Sequence, residues 1–377
     1  MTKILIIAGE ASGDKHAADL ILELQRSHPE IEFTGIGGDD MQRTGAHLIY
    51  HIRQLAVLGI TEIIKHLPFI RQVQRDIVSE MKKGVDATIL VDYPGFNLRI
   101  AKLAHEAGIP VIYYISPQLW AWGEKRVEKV RKYIDLLLVL FRFEVDFYAN
   151  HGINAEFVGH PLVDQVQISQ SETDFRNQNA IEPGQQILGL FPGSREMEVR
   201  KLLPVMVAVA SKIRDQFGAI PVIGKASQLP DELYHEVIKS NDIKIVEGKS
   251  HQLMRYSYAT MVASGTATLE MGFLQTPMVV LYEVSPITYW LGRFLVKIDK
   301  IALANIVAGE KVVPEFIQKE ITTDAVSAAI ARYFTDQKYY DDVKSRLSII
   351  KDALGEPGAS LRAAKQISMF LKKDLNK

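Results

Sequence analysis

Short runs of consecutive apolar residues alternate along this chain with longer stretches whose apolar positions recur every three or four residues. In the first half, "KILIIA" precedes "DKHAADLILELQRSH", "ATILVD" precedes "NLRIAKLAHEAG", "VIYYIS" precedes "GEKRVEKVRKY", and "LLLVLF" precedes "EVDFYANHG". Apolar runs without polar alternation predict strands covered on both faces, and a helix after each strand predicts parallel pairing. The pattern lapses over "SQSETDFRNQNAIEPGQ", which reads as a linker with at most one short helix. It restarts with "QILGLFPGSREMEVRKLLPVMVAVASKI" and continues through "IPVIG", "IKIVEG", "ATMVASGTATLEMGFL" and "PMVVLYE". The expectation is an α/β chain of two Rossmann-like domains, residues 1–165 and 185–345, with parallel sheets facing one crevice. Helices over 346–377 either close the second domain or cross back to the first. Ligands of open parallel sheets bind beyond the carboxyl ends of the strands, so attention falls on the strand-to-helix turns.

The length fits two domains, because 377 residues, 47% of them hydrophobic, exceed what one ordinary core organises. Lysine plus arginine total 44 against 45 acidic residues, so no global field draws the chain to nucleic acid or lipid, and any anion site must be local. No nucleic-acid-binding motif stands out. Without cysteine there is no thiolate nucleophile and no Cys-ligated metal, which fits a reducing compartment. The opening "MTKILIIAGE" is too short and wrongly flanked for a signal peptide. The most apolar runs, such as "DLLLVLF", fall far below the ~18 to 20 residues that span a bilayer. The chain is expected to span no membrane but to be able to lie on one.

Several turns compete for a phosphate. "EGKS" at 247–250 ends like a Walker A loop, but Ile243 stands where that loop needs its first glycine. "GEASGD" at 9–14 lacks the G-x-G-x-x-G spacing, and its Glu10 and Asp14 would repel a diphosphate. "LFPGSRE" at 190–196 is better: Gly193 and Ser194 follow a strand, and the Arg195 guanidinium can pair with phosphate oxygens, a bond worth ~1.5–3 kcal/mol. "ASGTATLE" at 263–270 sets Gly265 and Thr266 at a helix N-terminus, where free amides and the helix dipole favour an anion, and Glu270 within reach of ribose hydroxyls. The plainer alternative is that these glycines only close turns and Arg195 makes a surface ion pair. In the first half, Asp92 of "ATILVDYPGFN" ends a buried strand before Pro94 and Gly95 turn the chain away. With Glu10 and Asp14 it forms an acidic rim that suits a general base, although a lone Asp at a strand end is often a helix cap. No D-x-D triplet or HExxH occurs, so no metal or other cofactor is expected, and His160 of "VGHP" reads as a structural turn residue.

The strings "AGEASGD", "VDYPGFN", "ISPQLWAW", "FVGHPL", "PGSR", "ASGTATLE" and "NIVAG" resemble, in order and over about residues 3–370, the lipid A disaccharide synthase family of GT-B glycosyltransferases. Arg142 of "FRFE" departs from that pattern, which expects proline. The resemblance implies an inverting hexosyltransferase of lipid A and lipopolysaccharide biosynthesis. It would condense UDP-2,3-diacylglucosamine with 2,3-diacylglucosamine 1-phosphate to give a β-1,6-linked disaccharide and UDP. It implies Asp92 as the base, with Glu10 orienting the acceptor or serving as alternative base. It assigns Gly193, Ser194, Arg195, Gly265, Thr266, Glu270, Asn305 of "NIVAG" and Gln318 of "PEFIQ" to the donor, and Ser12, Gly13, Asp14, Ser116 and Gln118 to the acceptor side. The implied location is cytoplasmic and peripheral, on the cytoplasmic face of the inner membrane; a homodimer is compatible with the family, though no stretch demonstrates one.

Acylated substrates need an apolar surface. "AVLGITEIIKHLPFI" at 56–70 carries Val57, Leu58, Ile60, Ile63, Ile64, Leu67 and Phe69, expected to meet acyl chains or membrane, although a helix docked on its own sheet would show the same pattern. "WAWGEKRVEKVRKY" sets Trp120 and Trp122 before five cations and reads as an interfacial anchor or a solvated face. Two rival readings keep the two-domain plan: a UDP-N-acetylglucosamine 2-epimerase-like enzyme, and a non-catalytic peripheral nucleotide-sugar-binding protein.

Overall fold

The computed structural model describes residues 2–55, 63–120, 123, 126–238, 242–284 and 300–374, and for 63–67 the backbone alone. The chain divides into two compact units, Met1–Asp164 with Leu354–Lys377, and Gln165–Ala353.

Seven strands build the first unit: β1 (Lys3–Ala8), β2 (Glu32–Gly37), β3 (His47–His51), β4 (Ala87–Val91), β5 (Val111–Tyr114), β6 (Leu136–Val139) and β7 (Ala155–Phe157). Their order is β3-β2-β1-β4-β5-β6-β7 and every pair is parallel, with Ile6 opposite Gly35 on one side and Ile89 on the other. The helices between them are α1 (Ala11–Ser27), α2 (Asp39–Arg43), α3 (Ile52–Leu55), α4 (Ile63–Met81), α5 (Pro94–Glu106), α6 (Val127–Tyr133) and α7 (Arg142–Ala149), with α8 (Leu162–Gln165) at the unit's edge. Alternate strand residues serve opposite faces of a sheet. Leu5, Ile7, Leu90, Val111, Tyr113 and Leu137 therefore pack in one core with Val73 and Ile77 of α4, Ile100 and Ala104 of α5, and Val127 and Val130 of α6. β2 ("EFTGIG") and β3 ("HLIYH") are strands that the sequence pattern does not single out, because glycine, threonine and histidine break their apolar runs.

The second unit has six strands, β8 (Ile187–Phe191), β9 (Ile220–Lys225), β10 (Lys244–Glu247), β11 (Ala259–Ala263), β12 (Met278–Tyr282) and β13 (Glu315–Ile317), in the order β10-β9-β8-β11-β12-β13, again all parallel. Its helices are α9 (Glu172–Gln178), α10 (Glu196–Phe217), α11 (Glu232–His235), α12 (Ser250–Tyr256), α13 (Thr266–Phe273), α14 (Leu303–Val307), α15 (Thr323–Thr335) and α16 (Gln337–Leu354). The polar stretch read as a linker belongs to this unit. Ser171 caps α9 by accepting from the Asp174 amide, Phe175 is fully buried beside Tyr256, and the Tyr256 hydroxyl donates to the Gln170 carbonyl. Two buried side chains, Phe175 and Ile181, help dock a segment that shows no apolar period.

The last helix, α17 (Ala359–Asp374), returns to the first unit and packs on α1 through Ala363, Ala364, Ile367 and Leu371. Its start is tied down by the Asp164 carboxylate, which accepts from the amides of Gly358 (2.7 Å) and Ala359 (3.2 Å). Arg362 donates to the Val158 carbonyl at 2.7 Å, and the His160 amide to Leu354 at 2.8 Å. His160 is thus part of this docking turn. Its Nδ1 accepts from the Leu162 amide, and burial pushes its pKa down to about 3.

In both sheets the strand order reverses once, between β1 and β4 and between β8 and β11. Helices leave opposite faces at such a reversal, which opens a crevice at the carboxyl ends of the two strands. The turns after those four strands carry Gly9–Glu10, Asp92, Gly193–Arg195 and Gly265–Thr266.

Candidate active site

After β4 the chain enters the left-handed region twice in succession, at Asp92 (φ 47°) and Tyr93 (φ 49°), before Pro94 opens α5. Two adjacent non-glycine residues there are strained and persist only where their surroundings over-determine them. The Asp92 amide donates to Tyr114 at 3.1 Å, and its carbonyl accepts from the Asn97 side chain at 2.8 Å and the Tyr113 hydroxyl at 2.6 Å. Asn97, fully buried, also reaches the Val91 carbonyl at 3.2 Å. The backbone is therefore fixed by three residues of two elements, β5 and α5. Burial, then the charge of Glu10, push the Asp92 carboxyl up to about 6 against the Tyr93 amide that favours its anion. A carboxyl with that pKa exchanges a proton near neutrality, as a general base must.

Glu10 stands exposed at the N-cap of α1, without a side-chain capping bond. Gly9 before it has no room for a side chain, since a Cβ would lie 2.2 Å from the Tyr93 ring. Glu10, Asp14 and Tyr93, with Asp39, Arg43 and Arg53, border a cavity of about 690 Å³. Asp14 is buried and committed: its carboxylate accepts from the amides of Gly38 (2.6 Å), Met41 (3.1 Å) and Asp40 (3.0 Å), which pins α2 over α1. At Gly13 a Cβ would meet Ala8 at 3.5 Å, an ordinary contact, so no close approach there requires glycine, while Ser12 is exposed.

On the loop after β5, Gln118 is exposed but Ser116 is buried and donates to Glu144 Oε1 at 2.8 Å. Glu144 is the residue that sequence reasoning passed over. The same oxygen accepts from the Trp120 indole at 3.1 Å, and Oε2 accepts from the amides of Leu140 (3.1 Å) and Phe141 (3.0 Å). Tyr148 donates to the Pro117 carbonyl at 2.9 Å. Glu144 and Tyr148 thus hold the Ser116–Trp120 loop from α7, with burial pushing the Glu144 carboxyl up to about 7. The available signal was a glutamate at the third position of a helix, where it can cap its own start. Arg142, the departure from the family pattern, lies over the Phe157 ring at 4.6 Å.

In the second unit, Gly193, Ser194, Arg195, Gly265, Thr266 and Glu270 converge on one cavity of about 380 Å³, floored by Phe191 and Met254 and walled by Gly224–Ala226. Gly193 sits at φ 114°, and a Cβ there would lie 2.3 Å from the Glu198 carboxylate. That carboxylate accepts from the Ser194 amide at 3.2 Å and pairs with Arg195 at 3.3 Å, while the Arg195 side chain remains 82% exposed. An exposed pair of this kind is worth little, so the guanidinium can turn to a stronger anion. Glu270 lies 3.9 Å from His251 and lines the same cavity.

Asn305 and Gln318 are not among the residues lining it. Asn305 is fully buried, donating to Val313 (2.9 Å) and Glu315 (2.8 Å) and accepting from the amides of Val312 and Val313. Gln318 makes reciprocal bonds with the backbone of Val284, at 3.0 and 3.2 Å. Both side chains are held by their own unit. Of the apolar surface, Val57, Leu58, Ile60 and Trp122 lie outside the described residues, as do the side chains of Ile63, Ile64 and Leu67. Phe69 packs edge-on against Tyr50 at 5.8 Å, and Trp120 against Phe143 at 5.1 Å, so both rings are at least partly turned inward.

Two parallel-sheet α/β units are the architecture of the GT-B class, and solved structures share that fold at low identity. A glycotransferase of kitacinnamycin gives a TM-score of 0.64 at 14% identity, covering 98% of this chain and 99% of its own. UDP-GlcNAc 2-epimerase from Neisseria meningitidis, solved bound to UDP-GlcNAc, gives 0.60 at 13% identity, covering 99% and 100%. Within the class the sequence is decisive. The chain matches the Lipid-A-disaccharide synthetase family over residues 4–366, and belongs to it. A Lipid-A-disaccharide synthase of Geobacter sulfurreducens is 38% identical over 369 residues, 96% of this chain and 95% of the relative. The chain is accordingly a glycosyltransferase of lipid A disaccharide synthesis, and its likeness to the epimerase is one of fold.

Proposed function

We propose that the chain moves a 2,3-diacylglucosamine from its UDP derivative to the 6-hydroxyl of 2,3-diacylglucosamine 1-phosphate by one in-line displacement. The observation that carries this reading is the Asp92 carboxyl, set on a strained backbone and raised to about 6 by burial and by the charge of Glu10. Asp92 does not itself line the cavity of about 690 Å³, but Glu10 and Tyr93, the next residue in the chain after Asp92, do. Asp92 takes the proton of the acceptor hydroxyl as its oxygen attacks the anomeric carbon. The bond from that carbon to the diphosphate oxygen breaks, and UDP leaves with the pair. Glu10 orients the acceptor. Arg195 turns from Glu198 to the diphosphate, the amides of the first turn of α13 meet its remaining charge, and Glu270 accepts from the ribose. Asn305 and Gln318 serve the donor by holding the backbone of their segments, not by touching it.

No metal enters this scheme, because Arg195 and the helix terminus answer the leaving-group charge. The acylated substrates require the enzyme to work at the cytoplasmic face of the inner membrane as a peripheral protein. Among the described residues no helix is long and apolar enough to cross a bilayer.

The test is release of UDP from UDP-2,3-diacylglucosamine in detergent with EDTA, with and without the acceptor. Acceptor-dependent release is expected. Release or 2-epimerisation without acceptor, or activity restored only by Mg²⁺, would overturn the substrate assignment or the metal-free mechanism respectively.

A further inference from the structure

Away from both cavities, α4 and α5 leave between them a groove of about 570 Å³ on the outer surface of the first unit. Arg71 and Arg75 of α4 and Lys82 in the turn just after it line it, with Ser79 and the apolar side chains of Val78 and Leu103. The spacing i, i+4 sets Arg71 and Arg75 on one face of the helix. No carboxylate lines the groove, and none lies within ion-pair distance of the three among the described residues. The acids of α4 do not line it: Asp76 accepts from Tyr50 and Gln72 and feels the charge of Arg75, which donates to Gln72, and Glu80 pairs with Lys3 at 2.6 Å and Lys83 at 2.7 Å. Every charged group facing the groove is therefore positive, on a chain whose net charge is −1. Such a groove attracts an anion by local charge alone.

We propose that this groove binds the phosphate headgroups of anionic phospholipids in a bilayer. Three cations and a serine suit a phosphate diester, and the apolar side chains suit the glycerol and first methylenes that follow it. A bilayer is favoured over a soluble phosphate because the same helix begins at Ile63, inside the apolar stretch 56–70. One helix thus joins an apolar stretch to a cationic groove, the two signals that hold a peripheral protein at a membrane. The inference deepens the reading of a membrane-surface enzyme and rests on it.

The test is sedimentation of the full chain with phosphatidylcholine vesicles, with and without one-third phosphatidylglycerol. Each cation near an anionic surface contributes ~5-fold, so R71Q/R75Q/K82Q should lower partitioning onto the anionic vesicles roughly 100-fold and flatten its dependence on salt. R71K/R75K should keep it, and K311Q/K338Q/K351Q, which removes the same charge from the second unit, should leave it unchanged. Turnover of detergent-solubilised substrates by the triple variant should match the parent, which separates failure of this inference from failure of the catalytic reading. Equal partitioning of parent and triple variant, an equal loss in the second-unit control, or complete competition by dilute inorganic phosphate would overturn it.

Discussion

Asp92 joins two properties that rarely coincide in one carboxyl, a pKa raised to about 6 and a backbone that holds it still. Asp92→Asn keeps the shape and removes the base, so turnover should fall ~10²- to 10⁴-fold while UDP affinity is unchanged. Equal loss of both would make Asp92 a folding residue. In the parent, kcat/KM should fall tenfold per unit as pH drops below about 6. The stability effect has the opposite sense. The folded carboxyl holds its proton more tightly than the unfolded one, so its contribution is fullest below the ordinary 3.8 and is lost as pH rises through about 6. Asp92→Asn should therefore raise the unfolding midpoint at neutral pH and not at pH near 4. His16 and His160, pushed down by burial to about 4 and about 3, act the other way: their contribution is full above 6.5 and is lost progressively as pH falls from there through about 4 and about 3.

At the scale of elements, the construction relies on single polar groups that bind distant backbone. Asp14 holds the start of α2, Glu144 holds the loop after β5, and Asp164 holds the first turn of a helix nearly two hundred residues later. Each carboxylate accepts two or more hydrogen bonds where a helix begins, which is where free amides and the positive end of the dipole favour a negative charge. Asp164→Ala should cost about 0.5–2 kcal/mol, the usual range for a lost N-cap. Faster amide exchange confined to α17 and to the buried face of α1 would be the signature. Exchange unchanged there would mean that the apolar seam of Ala363, Ala364, Ile367 and Leu371 docks the helix unaided.

At the scale of the molecule, each unit has its own sheet and its own core, so unfolding need not be a single transition. UDP binds one unit only in the proposed scheme. It should raise the transition of Gln165–Ala353, by about 2.7 kcal/mol at a hundredfold excess over its Kd, and leave the other in place. Differential scanning calorimetry with and without UDP decides this; a uniform shift would mean that the units unfold together.

The sequence by itself determined the class of fold, because unbroken apolar runs followed by amphipathic helices bury both faces of a sheet in only one way. It also marked Asp92, Glu10, Gly193–Arg195 and Gly265–Glu270, since chemistry at the ends of parallel strands is confined to short turns whose glycines and charges are visible in one dimension. Tertiary structure decided what a side chain spends its hydrogen bonds on. Asp14 reads like a rim acid until its oxygens are found on three amides, Asn305 like a donor contact until it is found saturated, and Glu144 draws no attention until it is found buried. It also decided that Arg71, Arg75 and Lys82 line one groove that the acids of α4 do not line. Burial and partners come from residues far apart in the chain, and no local pattern encodes them.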